Sequence, residues 1–191
     1  MRGIGIVILA VFYGVYIVKM ILQRRKGIRT DQIARGKPRG RLFWTELTMK
    51  IATYLAAAAE VISIFAVEPV LPRAVVLCGA ALGLAGDLVF AAAVVTMRDS
   101  WRAGIAEQDK TELITQGIYQ ICRNPAFLGF DCVYIGLALM FFNVPLLACS
   151  LFAVVMLHLQ ILQEEQYLEQ AFGGAYVRYR EKVHRYLGRR R

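Results

Sequence analysis

Charge is scarce in this chain. Only 19% of its 191 residues are Asp, Glu, Lys or Arg, while 58% are hydrophobic; a soluble domain carries about 25% charged residues. Histidine occurs only at positions 158 and 184. The four cysteines, Cys78, Cys122, Cys132 and Cys149, show no CxxC spacing, and three fall in or near apolar runs, where a thiol acts as a small hydrophobe. Neither a disulfide nor a metal site is expected. No G-x-G-x-x-G joins a strand to a helix, so the Rossmann fingerprint is missing. No internal repeat or low-complexity tract breaks the chain into parts. The first apolar run, about 20 residues long, exceeds the h-region of a signal peptide, and no small-residue cleavage site follows it.

Long apolar runs are what the sequence does have. Runs at 3–22, 43–67, 73–97, 125–142 and 145–162 each reach the ~18 residues that read as a membrane span. The expected architecture is all-α and integral to a membrane, with five transmembrane helices in a single domain over 1–191. Residues 1–97 hold three spans. Glu68-Pro69-Val70-Leu71-Pro72 is a tight turn between spans 2 and 3, and Glu46 and Lys50, four apart, can pair on one face of span 2. Asn143-Val144-Pro145 closes spans 4 and 5 into a tight helical hairpin, and the polar, aromatic tail 163–191 reads as an amphipathic interfacial helix. Span 3 carries Gly79, Gly83 and Gly86, small residues at a spacing that lets helices approach closely.

The net charge of +9 invites a nucleic-acid reading, but the basic residues sit beside the spans, where they set topology and meet anionic headgroups. Eight Lys and Arg lie in 23–41, four in 98–124 and seven in 163–191, against Arg2 and Arg73 alone on the other side. That asymmetry predicts an outward N-terminus and a cytoplasmic C-terminus in the plasma (inner) membrane. The expected partners are membrane lipid and a lipophilic or small-molecule acceptor, with no nucleic acid.

Three clusters then fall on the cytoplasmic side. The first is 99–105, with Trp101, Arg102 and Ile105. The second holds Leu113, Ile114, Gly117 and Tyr119, then Arg123-Asn124-Pro125 at the start of span 4. The third is Glu164-Glu165, followed by Phe172-Gly173-Gly174, Tyr176 and Tyr179. Asn124 and Pro125 have a plain reading as helix N-cap and first helical residue. Arg123 beside that N-terminus makes an anion site, or snorkels to headgroups. Two acids near a helix C-terminal end face an unfavourable dipole and need a cation, either Arg123 or a cationic ligand, unless both are solvated. His158, Glu60 and Asp87 lie within spans and are open to functional or structural roles alike.

The run Leu113-Ile114-Thr115, Gly117-Ile118-Tyr119, Arg123-Asn124-Pro125 and Gly129 resembles the signature of the isoprenylcysteine carboxyl methyltransferase family. Glu164-Glu165, Leu168, Phe172-Gly173, Tyr176 and Tyr179 is similar to its second signature. The resemblance covers about 98–187, the catalytic half, with spans 4 and 5. The related phospholipid N-methyltransferases share the paired glutamates. The family often has His between the Arg and the Pro, where this chain has Asn124. What the resemblance implies is an S-adenosyl-L-methionine-dependent membrane methyltransferase with a lipophilic substrate route. Arg123 and Glu164 would be catalytic, Arg123 orienting an acidic acceptor and Glu164 holding Arg123 or the acceptor. Trp101, Arg102, Ile105, Leu113, Ile114, Gly117, Tyr119, Asn124, Pro125 and Glu165 would form the donor pocket, Glu165 binding the donor's ammonium or ribose. Two other classes stand beside it: a non-catalytic lipid-binding scaffold on the same frame, and an NADPH-dependent membrane reductase.

Overall fold

A computed structural model describes residues 1–105 and 112–188. Lys110 and the terminal Arg189, Arg190 and Arg191, counted above toward the basic side, lie outside the described residues. Among the described residues the regular elements are helices: α1 Arg2–Arg25, α2 Arg41–Ala66, α3 Arg73–Met97, α4 Pro125–Met140, α5 Val144–Phe172 and α6 Gly174–Lys182, with short 3-10 turns at Arg98–Ser100 and Gly117–Gln120. Four helices, α1, α2, α3 and α5, are long and apolar enough to cross a membrane; α4 is apolar but has only 16 residues. Large apolar side chains such as Leu88, Val95, Phe65 and Val155 point outward, a surface that suits lipid rather than water.

The closest helix pair is α3 against α4. A Cβ added at Gly79 would lie 2.6 Å from the carbonyl oxygen of Gly136, and one at Gly86 would lie 2.8 Å from that of Gly129. Backbone therefore meets backbone along this seam, and only glycine on both helices permits it. The stripe legible on span 3 has its complement on α4, in Gly129 and Gly136. The other main pairing is α5 against α2. Phe12 of α1, Phe90 of α3 and Phe130 of α4 pack together, with centroids 4.5 Å (Phe12–Phe90) and 4.6 Å (Phe12–Phe130) apart. Trp101 joins this cluster edge-on to Tyr16 at 5.4 Å. The core thus runs directly into one wall of the site.

Two local expectations are corrected. Glu46 and Lys50 do not pair with each other: Glu46 takes Lys37, with Nζ to Oε1 at 2.6 Å, and Lys50 takes Asp31 at 2.6 Å. An i,i+4 pair is worth only tenths of a kcal/mol, and the loop between α1 and α2 offers better-placed partners. The tail is not one helix either. α5 runs on to Phe172, Gly173 breaks it at φ +52, α6 follows, and the chain then turns back on itself. His184 N–H donates to Gly188 O at 3.0 Å, and Gly188 N–H to Ile121 O at 2.8 Å.

Candidate functional site

The site is built where α3 ends, α4 begins and the second half of α5 passes. Arg98 terminates α3 in the left-handed region, φ 49, and 99–105 runs across the bundle end. Gly117, at φ +60, opens the turn that buries Tyr119; a Cβ there would meet the Thr96 side chain at 3.0 Å. Tyr179 of α6 donates to the Tyr119 carbonyl at 2.7 Å. Arg123 N–H donates to His184 O at 3.1 Å, so the returning tail fixes the residue that precedes α4.

Asn124 stands at the N-cap position, but its side chain does not cap. Its amide donates instead to Glu165 Oε1 at 3.2 Å and to Arg185 O at 3.1 Å. Glu165 is the hub. Its Oε1 accepts from Arg123 Nη2 at 2.9 Å and from Arg185 Nε at 3.1 Å, and its Oε2 from Arg185 Nη2 at 2.8 Å. This buried carboxylate, two turns before the end of α5 and so clear of its C-terminal dipole, is compensated by two guanidiniums and an amide. The cation that the acid pair requires is Arg123, and the acid that holds it is Glu165. Arg185 contributes as much, and nothing in the span pattern marks it; its place follows from the chain reversal after α6.

Arg123 spends only one nitrogen on this contact. Its Nε and Nη1 are buried and have no hydrogen-bond partner among the described residues. The residue lines a cleft with an empty volume of about 880 Å³, counting its open mouth. Trp101, Arg102, Ile105, Leu113, Ile114, Tyr119, Arg123, Asn124 and Glu164 all line it; Gly117, Pro125 and Glu165 do not. Phe127, Tyr167, Leu168, Tyr176 and Tyr179 also line it. Burial pushes Tyr176 up to about 12 and Tyr119 and Tyr179 higher still, so these phenols stay neutral at ordinary pH. Burial likewise pushes the Cys122 thiol up to about 11, which removes it as a thiolate nucleophile.

A second, mostly apolar cavity with an empty volume of about 1120 Å³, counting its open mouth, adjoins the first. Tyr13, Tyr16, Tyr54, Phe130, Tyr134 and Leu157 form its walls, and the Asp31–Lys50 pair sits at its edge. The two cavities share Trp101, Arg102, Gly104, Ala126, Phe127 and Glu164. Glu164 accepts from Gln160 Nε2 at 3.1 Å.

The residues left open within the spans fall away from both cavities. His158 Nδ1 meets Tyr186 Oη at 2.7 Å, which ties the tail to α5. Glu60 and Asp87 are buried, with no hydrogen-bond partner among the described residues. Sequence reasoning missed Glu46, whose carboxylate receives Ala34 N–H at 2.6 Å, Lys37 Nζ, and Ile105 N–H at 2.9 Å. A carboxylate near the start of an apolar helix was the available signal, but the nearest cation in sequence drew it away.

Residues 75–175, just over half of the chain, match the profile of the phospholipid methyltransferase family. The chain is 34% identical over 110 residues to protein-S-isoprenylcysteine O-methyltransferase B of Arabidopsis thaliana, 55% of each chain. It is 32% identical over 105 residues to the A form of that plant, 52% of each. With protein-S-isoprenylcysteine O-methyltransferase of Schizosaccharomyces pombe it shares 38% over 72 residues, 37% of this chain and 30% of that one. The chain spans about half the length of the curated relatives it matches.

Proposed function

From a chain that belongs to the phospholipid methyltransferase family, and whose relatives are isoprenylcysteine O-methyltransferases, we propose an integral membrane methyltransferase acting at the cytoplasmic interface. It would take S-adenosyl-L-methionine in the open cleft and a lipophilic or small acceptor in the apolar cavity behind it. The observation that carries this reading is the shared wall of Trp101, Arg102, Phe127 and Glu164. An open cleft that holds Arg123 and an apolar chamber that touches it at one partition are what transfer between a water-soluble donor and a lipid-soluble acceptor requires.

The cleft fits the donor chemically. Buried, unbonded Nε and Nη1 of Arg123 suit a carboxylate by the planar fork of guanidinium. Because Arg123 lines the cleft and not the apolar chamber, that carboxylate is read as the donor's own, with Glu165 orienting Arg123. Ring faces of Trp101, Tyr119, Phe127, Tyr176 and Tyr179 suit a flat base and a cation. When bound, the donor supplies a methyl group on a positively charged sulfur. Glu164, on the partition, faces that charge or the acceptor. Leu113, Ile114 and Ile105 exclude water, Arg102 closes the mouth, and Gly117, Asn124 and Pro125 shape the floor. The protein's task is chiefly alignment of two reactants, and the neutral phenols lining the cleft offer no strong base.

Five crossings are part of the proposal. The α4 start lies in the cleft, and its far end leads to Asn143, whose Nδ2 donates to Ser63 Oγ near the end of α2 at 2.9 Å. α4 therefore runs the same course as its long neighbours, and its 16 residues give ~24 Å of rise, short for a ~30 Å core. The basic asymmetry supports a cytoplasmic C-terminus, and the plasma membrane is proposed with it.

Thermal unfolding of the detergent-purified protein tests the reading. S-adenosylhomocysteine should raise the midpoint by mass action, and NADPH should not. Native membrane extract with methyl-labelled donor should then yield a labelled lipophilic product. A midpoint raised by NADPH alone would favour the reductase, and one raised by neither would favour the scaffold.

A further inference from the structure

Glu46 sits five residues into α2, fully buried, and pairs with a Lys37 whose side chain is only 4% exposed. Taking both charges out of water is costly, and an apolar pair would fill the space more cheaply. What distinguishes this carboxylate is the number of segments it gathers. Ala34 N–H and Lys37 Nζ come from the α1–α2 loop, Ile105 N–H from the strip that walls the donor cleft, and Gln160 Nε2 from α5, at a longer 3.4 Å. The same Gln160 amide reaches Glu164 Oε1 at 3.1 Å.

The loop and the strip are laced together independently. Gln32 N–H donates to Ala103 O at 2.8 Å, and Ala103 N–H to Thr30 O at 3.0 Å. Gly104 lies so close that a Cβ there would stand 2.9 Å from Ile33 N. Ile33 and Asp31 line the apolar chamber, whereas Ile105 lines the cleft. We infer that Glu46 is a positioning residue that sets the cleft wall at Ile105, the chamber wall at Ile33 and, through Gln160, the partition carboxylate Glu164, so that the two cavities are held in register by one buried carboxylate. This rests on reading the cleft as the donor site.

Two measurements on the purified full chain test it. Amide hydrogen exchange of the unliganded protein should rise in 30–37 and 98–105 for Glu46→Gln, with the rest of the bundle unchanged. The dissociation constant for S-adenosylhomocysteine should rise about tenfold, the scale of losing a charge-assisted contact. Ile64→Ala, a cavity at the far end of α2, controls for stability: it should lower the melting temperature yet leave ligand affinity and exchange at 98–105 unaltered. Should Glu46→Gln not fold, Lys37→Met/Glu46→Gln leaves no charge stranded and is read in the same way. Exchange rising uniformly along the chain, or an affinity loss matched by Ile64→Ala, would reduce Glu46 to a stability residue and overturn the inference. If the wild type binds no S-adenosylhomocysteine, the donor reading fails by itself, and local against uniform exchange still decides whether the clasp exists.

Discussion

Arg123 and Glu165 form a buried pair in which each residue has a separate task. Glu165 spends both oxygens on Arg123, Asn124 and Arg185, and Arg123 Nε and Nη1 have no hydrogen-bond partner among the described residues. Arg123→Lys retains the charge but loses the fork, so affinity for S-adenosylhomocysteine should fall by about 10–100-fold with little loss of folding stability. Calorimetric titration reads this directly. Unchanged affinity with a collapsed transfer rate would move Arg123 to the acceptor side. Glu165→Gln leaves two guanidiniums short of a counter-charge and should cost ~3 kcal/mol of stability, seen as a lower denaturation midpoint together with weaker ligand binding. Asn124→His is expected to lose stability too, because the Asn124 amide donates to two acceptors at once. At this scale the acid pair's need for a cation was legible, but the choice between adjacent glutamates was not. Neighbours on a helix differ by about 100° in direction, and only the packed bundle decides which of them meets Arg123.

Two elements depend on contacts that no single segment contains. Along the α3–α4 seam, Gly136→Ala would set a Cβ 2.7 Å from Gly79 O. Forced separation of the helices should cost ~1–3 kcal/mol, measured as a loss in denaturant midpoint. Gly3→Ala, with nothing within 4 Å, should be neutral or slightly stabilising, since alanine is the better helix former. The tail after α6 is the second such element. Deleting 183–191 removes Arg185 and the His184 and Gly188 backbone contacts, so donor binding should be lost while the helical bundle, assessed by far-UV circular dichroism, remains. Small residues on span 3 announced the seam; the tail's return did not announce itself, because its partners Asn124, His158 and Glu165 lie far from it in the chain.

For the whole molecule, the test is orientation. After removal of the native cysteines, a cysteine placed in 26–37 should be protected from an impermeant thiol reagent in intact cells, and one at position 70 should be labelled. The opposite pattern would place the cleft on the outer side and separate it from a cytoplasmic donor. Sequence alone determined the all-helical class, the apolar spans and the basic asymmetry, and it named nine of the nineteen residues that line the cleft, because hydropathy, charge and motif order are properties of the chain read in line. Tertiary structure decided the rest: the pairing of Arg123 with Glu165, the arrival of Arg185, the clasp at Glu46 and the partition between two cavities. Each of these joins residues far apart in the chain, as Glu46 and Ile105 are, and their meeting depends on the angles and spacings at which whole helices pack, which no local pattern encodes.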